Sequence, residues 1–305
     1  MGSYSPDETY SIEDLKQWRF DGVGLAVLGH PVRHSISPQM HNAALAKLAK
    51  TDSRFASWRY FRFDVPPEAL IEHLPLFYEK GFIGLNLTVP HKELAIEAIH
   101  AIDPHAKSIG AVNTLLKTES GYKGYNTDGH GLSRGVLLNL GLPLKGTSIA
   151  LLGAGGAARA AAMQCLAEGC ASLTIVNRNQ DRLAKLLSEL EPAAREKAIP
   201  LRGAKPDATL DLEGNELLVN ATSLGLKQDD PTPIPEESLP NSIKLFDMIY
   251  NPATTRIMQC VRDRNGQAAN GLSMLIHQGA RSLELWSGQT APVETMQQAA
   301  LQAMA

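Results

Sequence analysis

The sequence contains few cysteines, little net charge and no long apolar run. Its 305 residues include 3 cysteines, Cys165, Cys170 and Cys260, which are too few and too irregularly spaced for a disulfide framework or a zinc site. A formal net charge of −3 provides no basic surface for nucleic acid. No apolar run approaches the roughly 18 residues of a transmembrane helix, and the acidic N-terminal region lacks the apolar segment of a signal peptide. We therefore expect a cytoplasmic protein that requires no membrane, nucleic acid or metal ion.

The length and apolar content are sufficient for two domains. A chain of 305 residues with 44% hydrophobic residues exceeds the usual size of a single hydrophobic core. Short apolar runs of strand length alternate with stretches of helix length, and the alternation starts again near Ser148. This pattern predicts an α/β fold with parallel sheets covered on both faces, plus a hairpin over 111–126. Residues 1–20 are mostly polar and have no assigned function, although a helical pattern surrounds Ile12, Leu15 and Trp18.

A glycine-rich loop joins a strand to a helix in the second half of the chain. The apolar run Ser148 to Leu152 leads directly into Gly153, Ala154, Gly155, Gly156, Ala157 and Ala158. In a dinucleotide site the first glycine makes the turn, the second lets the backbone approach the pyrophosphate, and a small third residue allows close packing. The helix N-terminus then binds the anion. The loop predicts a Rossmann-type dinucleotide site; the alternative is a tight turn without a ligand.

The end of the next strand indicates which dinucleotide binds. An NAD site usually has Asp or Glu there to accept the ribose hydroxyls, but this strand ends in Asn177-Arg178-Asn179, with Arg182 one helical turn later. Arginine pairs with phosphate through a planar, permanently charged fork. The sequence therefore favours NADP over NAD. The alternative is a pair of solvated arginines at a helix start, although cations are unfavourable there without an anion.

Polar residues in the first half lie at the ends of predicted strands, where open α/β sheets bind ligands. They are Ser35, Ser37, Thr88, Lys92, Asn113, Thr114, Asn126, Thr127 and Asp128. Hydroxyls, amides, one lysine and one carboxylate suit a small polyhydroxylated substrate, and oxidation of an alcohol needs a proton acceptor. Alternatively, Ser35, Ser37 and Asp128 cap helices, and Lys92 is an exposed helix lysine.

A series of motifs from about Gly24 onward resembles the shikimate dehydrogenase family, including its quinate/shikimate relatives. In the first half the motifs are His34-Ser35-x-Ser37-Pro38, Asn86-x-Thr88-Val89-Pro90-x-Lys92, Gly110-Ala111-Val112-Asn113-Thr114 and Asn126-Thr127-Asp128-Gly129. In the second half they are Gly153-Ala154-Gly155-Gly156-Ala157, Asn177-Arg178, Asn220-Ala221-Thr222-Ser223-x-Gly225, Asp247-Met248-x-Tyr250-x-Pro252 and Gly271-Leu272-x-Met274-Leu275-x-x-Gln278.

The resemblance implies reversible NADP-dependent oxidation of shikimate to 3-dehydroshikimate. It implies that Lys92 and Asp128 form the catalytic pair, and it leaves open which of them accepts the proton. The residues that it places around the substrate, in addition to this pair, are Ser35, Ser37, Thr88, Asn113, Tyr250 and Gln278. It places Met248 and Gly271 beside the nicotinamide and Thr222 along the cofactor cleft.

The resemblance also implies a discontinuous architecture. Residues 22–130 would form the substrate domain and 131–264 the NADP domain, with 265–305 returning to the substrate domain. Residues 1–21 remain an extension outside the resemblance. We expect a monomer or homodimer whose substrate and nicotinamide meet in a cleft.

Two residues depart from the family pattern. Asn179 stands where the family commonly has threonine, which weakens the expected contact with the 2′-phosphate. Leu283 stands where many members have an aromatic residue, and we interpret this as a change in the core. Two alternative functions stay open: a quinate/shikimate enzyme with relaxed use of substrate or cofactor, and a non-catalytic NADP-binding sensor. A sensor would not need both Lys92 and Asp128.

Overall fold

A computed structural model describes residues 4–88, 90–207 and 210–304. It divides the chain into two compact units. Unit 1 combines the chain up to Thr127 with the chain from Ile276 onward, and unit 2 is Asp128–Leu275. None of the helices in the described ranges is long and apolar enough to cross a bilayer. The described ranges also contain no group of His, Cys, Asp and Glu side chains arranged to hold a metal ion.

Unit 1 is built around a six-stranded sheet. Its helices before the crossing into unit 2 are α1 (Ile12–Lys16), α2 (Ser37–Leu48), α3 (Leu70–Glu79), α4 (His91–Leu94) and α5 (Pro104–Ile109). Its strands are β1 (Val23–Gly29), β2 (Trp58–Asp64), β3 (Phe82–Leu87), β4 (Ala101–Ile102), β5 (Thr114–Thr118) and β6 (Gly121–Tyr125). The strand order is β2-β1-β3-β5-β6-β4. Val89, which belongs to the second motif, lies outside the described residues.

One strand of this sheet is antiparallel to the others. β1 pairs in parallel with β2 and β3, and β4 pairs in parallel with β6. β5 is antiparallel to both β3 and β6 because the predicted hairpin reverses the chain between β5 and β6. The prediction of a parallel sheet therefore holds for unit 1 apart from this strand.

Unit 2 contains a second sheet, in which every pairing is parallel. Its helices are α6 (Asp128–Leu140), α7 (Gly156–Glu168), α8 (Gln180–Glu196) and α9 (Arg256–Asp263). Its strands are β7 (Ser148–Leu152), β8 (Ser172–Val176), β9 (Leu201–Ala204), β10 (Leu217–Asn220), β11 (Lys244–Asp247) and β12 (Gln267–Ala269). The order β12-β11-β10-β7-β8-β9 is the doubly wound order of dinucleotide-binding domains. The predicted Rossmann-type architecture is confirmed.

The last two helices begin at the return to unit 1. Helix α10 (Leu272–Ser287) spans the crossing at residues 275 and 276, and α11 (Val293–Met304) follows. Leu283 of α10 is fully buried, in agreement with its interpretation as a core residue.

The N-terminal residues belong to unit 1 and pack against its sheet, so they are not a polar extension. Tyr10, Leu15 and Trp18 are buried in an aromatic core with Phe61 and Phe63. The backbone of Tyr10 donates to the Arg62 carbonyl at 2.9 Å and accepts from the Asp64 amide at 2.8 Å. The segment therefore covers the outer edge of β2, which removes an unpaired strand edge from solvent.

Candidate functional site

Asn86 near the end of β3 is the centre of a buried polar network in unit 1. Its Oδ1 accepts a hydrogen bond from the Tyr60 hydroxyl at 2.8 Å. Its Nδ2 donates to the Asn113 carbonyl, to Thr114 Oγ1 and to Ser282 Oγ at 3.0–3.1 Å. Because Asn86 is only 6% exposed, these bonds replace its contacts with water and fix its orientation.

Ser282 connects four segments of the chain within this network. Its hydroxyl lies 2.7 Å from Thr114 Oγ1 and 3.2 Å from Thr127 Oγ1. It also donates to the Gln278 carbonyl one turn earlier in α10 at 3.0 Å. Together with Asn86, these contacts join β3, β5, α10 and the residue before α6 through one fully buried oxygen.

Asn113 is hydrogen-bonded to Gln278, so two of the predicted substrate residues are in direct contact. Its Nδ2 donates to Gln278 Oε1 at 3.2 Å and to Thr127 Oγ1 at 2.9 Å. Its Oδ1 accepts from the Thr127 backbone amide at 2.8 Å. Asn113 is 2% exposed, so its position is set by these partners. The network fixes the residue that directly precedes Asp128, the first residue of α6.

The two predicted serines lie at the start of α2, but neither caps this helix. The N-cap residue is Ile36, whose side chain has no capping hydrogen bond. Ser35 Oγ instead accepts from the Ser37 amide at 3.3 Å. The alternative prediction of Ser35 and Ser37 as N-cap residues is therefore wrong, although Ser35 Oγ accepts from the first amide of α2.

Tyr60 and His41 lie behind these serines. Burial raises the pKa of the Tyr60 phenol well above its ordinary value, and a hydrogen bond with the Ser37 side chain opposes this shift. The His41 ring stacks on Tyr60 with centroids 4.2 Å apart and planes 2° apart. Burial lowers the pKa of His41 to about 3, so this ring is neutral at physiological pH.

Backbone contacts position the segment that carries Thr88 and Lys92. The Thr88 amide donates to the Leu28 carbonyl of β1 at 3.0 Å, and the Thr88 carbonyl accepts from the His91 amide at 2.8 Å. The Lys92 carbonyl accepts from the Val112 amide at 2.8 Å. Lys92 is half-buried in the short helix α4, which differs from the fully exposed helix lysine of the alternative interpretation.

The glycine loop of unit 2 has the geometry that a pyrophosphate requires. Gly153 adopts φ +114°, and a Cβ there would lie 3.1 Å from the Ala221 carbonyl oxygen. A Cβ on the exposed Gly155 would meet nothing within 4 Å, which shows open space beside the loop. Gly155 is the N-cap of α7 and supplies no side-chain cap, so the first amides of α7 remain available to an anion.

Asn177, Arg178, Asn179 and Arg182 follow β8 as predicted. Asn179 is the N-cap of α8, and its Oδ1 accepts from the Arg182 amide at 2.9 Å. Asn177 Nδ2 donates to the Asn179 carbonyl at 2.8 Å. Both guanidinium groups are exposed, and neither forms an ion pair with any residue in the described ranges. This donor set fits the 2′-phosphate of NADP.

Asn220 and Asp247 are buried at the ends of β10 and β11. Asp247 accepts from Asn220 Nδ2 at 3.0 Å, from the Ile249 amide at 3.0 Å and from the Thr255 hydroxyl at 2.6 Å. Burial raises the pKa of Asp247, and these hydrogen bonds oppose the shift. Asn220 Oδ1 in turn accepts from the Thr222 hydroxyl at 2.8 Å. The network fixes the loops that carry Thr222 and Met248.

Gly271 and Met248 are in close backbone contact. A Cβ on Gly271 would lie 2.2 Å from the Met248 carbonyl oxygen, so only glycine fits there. The Gly271 amide donates to the Ile249 carbonyl at 3.0 Å. The structure thus brings together the two residues predicted beside the nicotinamide. Tyr250, predicted to contact the substrate, follows in unit 2 and is half-buried, and its burial raises the pKa of its phenol.

The predicted substrate residues are divided between the units. Unit 1 holds Ser35, Ser37, Thr88, Lys92, Asn113 and Gln278, whereas Asp128 and Tyr250 belong to unit 2. Both crossings of the chain are close to these residues, because Thr127 directly precedes Asp128 and Ile276 lies two residues before Gln278. Sequence reasoning missed Tyr60 and Ser282 as members of the polar network, and it assigned Asn86 no role beyond its motif. For Asn86, its place in that motif was the available signal.

Comparisons with known proteins agree with this geometry. The family model described as "Shikimate dehydrogenase substrate binding domain" matches residues 27–115. Two others, "Shikimate / quinate 5-dehydrogenase" and "Shikimate 5'-dehydrogenase C-terminal domain", match residues 138–223 and 271–301.

Three relatives illustrate the range of the similarity. A shikimate dehydrogenase (NADP(+)) of Moorella thermoacetica is 39% identical over 92% of this chain and 93% of its own. The crystal structure of a Thermus thermophilus shikimate 5-dehydrogenase with NADP(H) and shikimate is 36% identical, with a TM-score of 0.80 over 92% of this chain and 99% of that one. A Corynebacterium glutamicum quinate dehydrogenase in complex with NAD is 25% identical, also with a TM-score of 0.80, over 92% and 99%.

The matches cover both units, and the identity to the first two relatives extends over most of the chain. The resemblance drawn from the motifs is thereby confirmed. The chain belongs to the shikimate dehydrogenase family.

Proposed function

We propose that this protein catalyses the reversible NADP-dependent oxidation of shikimate to 3-dehydroshikimate. The observation that carries the proposal is the coexistence of two features in one chain. Unit 1 holds a buried network of hydroxyls and amides, and unit 2 holds a glycine loop followed by two arginines that form no ion pair with any described residue. The first suits a polyhydroxylated ring and the second suits NADP.

The two units have different roles in this proposal. Unit 1 binds shikimate: Ser35 and Ser37, with Tyr250 of unit 2, bind the carboxylate, and Thr88, Asn113 and Gln278 bind ring hydroxyls. Unit 2 binds NADP through residues 153–157, the Asn177–Arg182 segment and Thr222, with Met248 and Gly271 beside the nicotinamide. The protein acts in the cytoplasm as a monomer or homodimer.

The chemistry removes a hydride and a proton from one carbinol group. When bound, NADP accepts the hydride from the carbon that carries the 3-hydroxyl. Lys92 and Asp128 bind this hydroxyl and one of the two takes up its proton, so that the C–O single bond becomes the carbonyl of 3-dehydroshikimate. Asn113 fixes Thr127 and therefore the start of α6, where Asp128 lies. This fixed position reduces the motion that Asp128 must give up to orient the hydroxyl.

Replacement of Lys92 tests the catalytic assignment. Lys92→Ala is expected to lower kcat about 100-fold or more, because the hydroxyl proton loses its acceptor or the group that orients it. Lys107→Ala removes an exposed lysine of α5 and serves as the matched control, with kcat unchanged. Turnover of Lys92→Ala within a few-fold of the wild type would remove this residue from proton transfer.

Relaxed use of quinate or NAD is a second candidate, and Asn179 favours it. The Asn179 side-chain oxygen caps α8, so only its amide nitrogen stands where the family commonly offers a threonine hydroxyl to the 2′-phosphate. Arg178 and Arg182 would then carry most of the phosphate recognition. A KM for NADP within about tenfold of the KM for NAD would support this candidate.

A further inference from the structure

Arg62 is a buried cation that forms no ion pair with any described residue. It lies in β2 and is 6% exposed. One of its terminal nitrogens, Nη1, donates to the Arg33 carbonyl oxygen, whereas Nε has no hydrogen-bond partner. No ion pair involves Arg62 in the part of the chain that the structure describes. The guanidinium group is permanently charged in proteins, so this burial leaves a positive charge that no ion pair among the described residues neutralises.

The surroundings of Arg62 restrict the guanidinium. Burial lowers the pKa of Arg62, and the carboxylate of Asp7 opposes this shift without forming an ion pair. Asp7 Oδ1 accepts from Gln39 Nε2 in α2 at 3.4 Å. Tyr10 pairs with the backbone of Arg62 from the outer edge of β2. The N-terminal segment is therefore hydrogen-bonded to β2 at Arg62 itself, and it places the Asp7 carboxylate near the guanidinium group.

Arg62 lies on the same face of β2 as Tyr60, because side chains two residues apart in a strand point to the same side. The Ser37 side chain lies close enough to the Tyr60 phenol to lower its pKa, against the effect of burial. Arg62 is bonded to the Arg33 carbonyl, two residues before Ser35. The Ser35 amide donates to the Val32 carbonyl at 2.9 Å, which continues the turn. Two neighbouring residues of β2 thus hold the loop that carries both serines.

We infer that Arg62 is a positioning residue for the substrate carboxylate, a role that rests on the proposed function. Through the Arg33 carbonyl it sets the conformation of the loop that carries Ser35 and Ser37. Its charge, which no ion pair among the described residues neutralises, makes the potential at this loop more positive, which favours an anionic group over a neutral one of the same shape. Arg62 does not touch the reacting atoms, so its effect is on binding rather than on hydride transfer.

The test compares shikimate with its methyl ester, which has the same ring but no negative charge. The variants are Arg62→Gln and Arg62→Met, which remove the charge, and Arg62→Lys, which retains it. Arg59→Gln, an exposed arginine of the same strand, is the matched control. Initial rates with NADP give kcat and KM for each substrate, and thermal unfolding establishes that each variant is folded.

Arg62→Gln is expected to raise the KM for shikimate about tenfold while the KM for the methyl ester and the KM for NADP change less than twofold. Arg62→Lys is expected to restore most of the affinity for shikimate. Arg62→Met replaces Arg62→Gln if the buried amide prevents folding. Equal increases in KM for both substrates would reduce Arg62 to a structural residue, and an unchanged KM for shikimate would overturn the inference outright. Absence of shikimate turnover in the wild type and in Arg59→Gln would instead contradict the proposed function.

Discussion

His41 makes the stability of unit 1 depend on pH in a way that can be calculated. The ring is fully buried, and within the described ranges neither of its nitrogens has a hydrogen-bond partner. Burial lowers its pKa from 6.5 to about 3. The folded state therefore keeps the His41 ring neutral, whereas in the unfolded chain this ring is protonated as the pH falls below 6.5. The stabilisation is complete above pH 6.5 and is lost progressively as the pH falls toward 3.

The size of this effect follows from the two pKa values. Each pH unit between them is worth about 1.4 kcal/mol, so acidification from pH 7 to pH 5 should cost about 2 kcal/mol through His41 alone. The full difference, reached below pH 3, is about 5 kcal/mol. His41→Phe keeps a flat ring against Tyr60 but cannot be protonated, so its stability should not show this component. Any constant cost of the larger ring cancels when each protein is compared with itself at two pH values.

Urea unfolding monitored by tryptophan fluorescence measures this difference selectively. The chain has 3 tryptophans, Trp18, Trp58 and Trp286, and all of them are in unit 1. Between pH 7 and pH 5 the wild type should lose about 2 kcal/mol more than His41→Phe. Replacement of the exposed His100 by glutamine is the control and should leave the pH dependence of the wild type unchanged. Parallel curves for the wild type and His41→Phe would refute the burial of a neutral His41.

Three further substitutions test other parts of the structure. Arg178→Ala should raise the KM for NADP at least tenfold and leave the KM for NAD within twofold, because only NADP carries the 2′-phosphate; equal changes for both cofactors would refute this contact. Gly271→Ala places a Cβ 2.2 Å from the Met248 carbonyl oxygen, so calorimetry should show at least tenfold weaker NADP binding with shikimate binding unaltered. Unaltered NADP binding would contradict the position assigned to Gly271 beside the nicotinamide. Ser282→Ala should lower the free energy of unfolding by about 2 kcal/mol, since it leaves buried polar partners unsatisfied; a loss as small as that of the exposed control Ser120→Ala would contradict the network.

The α/β alternation of the fold could be predicted because its central strands are apolar runs between helices. β1, β7 and β8 consist almost entirely of buried residues, which the sequence shows directly. The short edge strands could not be predicted in this way. β9 reads Leu-Arg-Gly-Ala and β12 reads Gln-Ala-Ala, and neither has the periodicity of a half-buried strand. Their pairing comes from the neighbouring strand.

The packing of the N-terminal segment was also beyond the sequence pattern. Tyr10, Leu15 and Trp18 are separated by polar residues, so the segment looked like an extension without a function. Its buried positions become evident only with its partners, since Trp18 lies against Phe61 and Phe63 with centroids about 5 Å apart. Such contacts join residues far apart in the chain.

The candidate site was predicted as a set of residues but not as a set of contacts. The glycine loop and the arginines after β8 are local in sequence, and the structure supports their fit to NADP. The network around Ser282 joins residues up to 196 positions apart, and no periodicity or spacing reveals it. Nor could the sequence show that Arg62 is buried without an ion pair to any described residue.

The proposed activity is tested most directly by the initial rate of dinucleotide reduction at 340 nm with each pairing of shikimate or quinate with NADP or NAD. We expect strong activity with shikimate and NADP and weak activity in the other three pairings. Comparable rates with quinate or NAD would assign the protein to the relaxed members of its family. The absence of a rate in all four pairings, together with retained NADP binding, would contradict the assignment of Lys92 and Asp128 to catalysis.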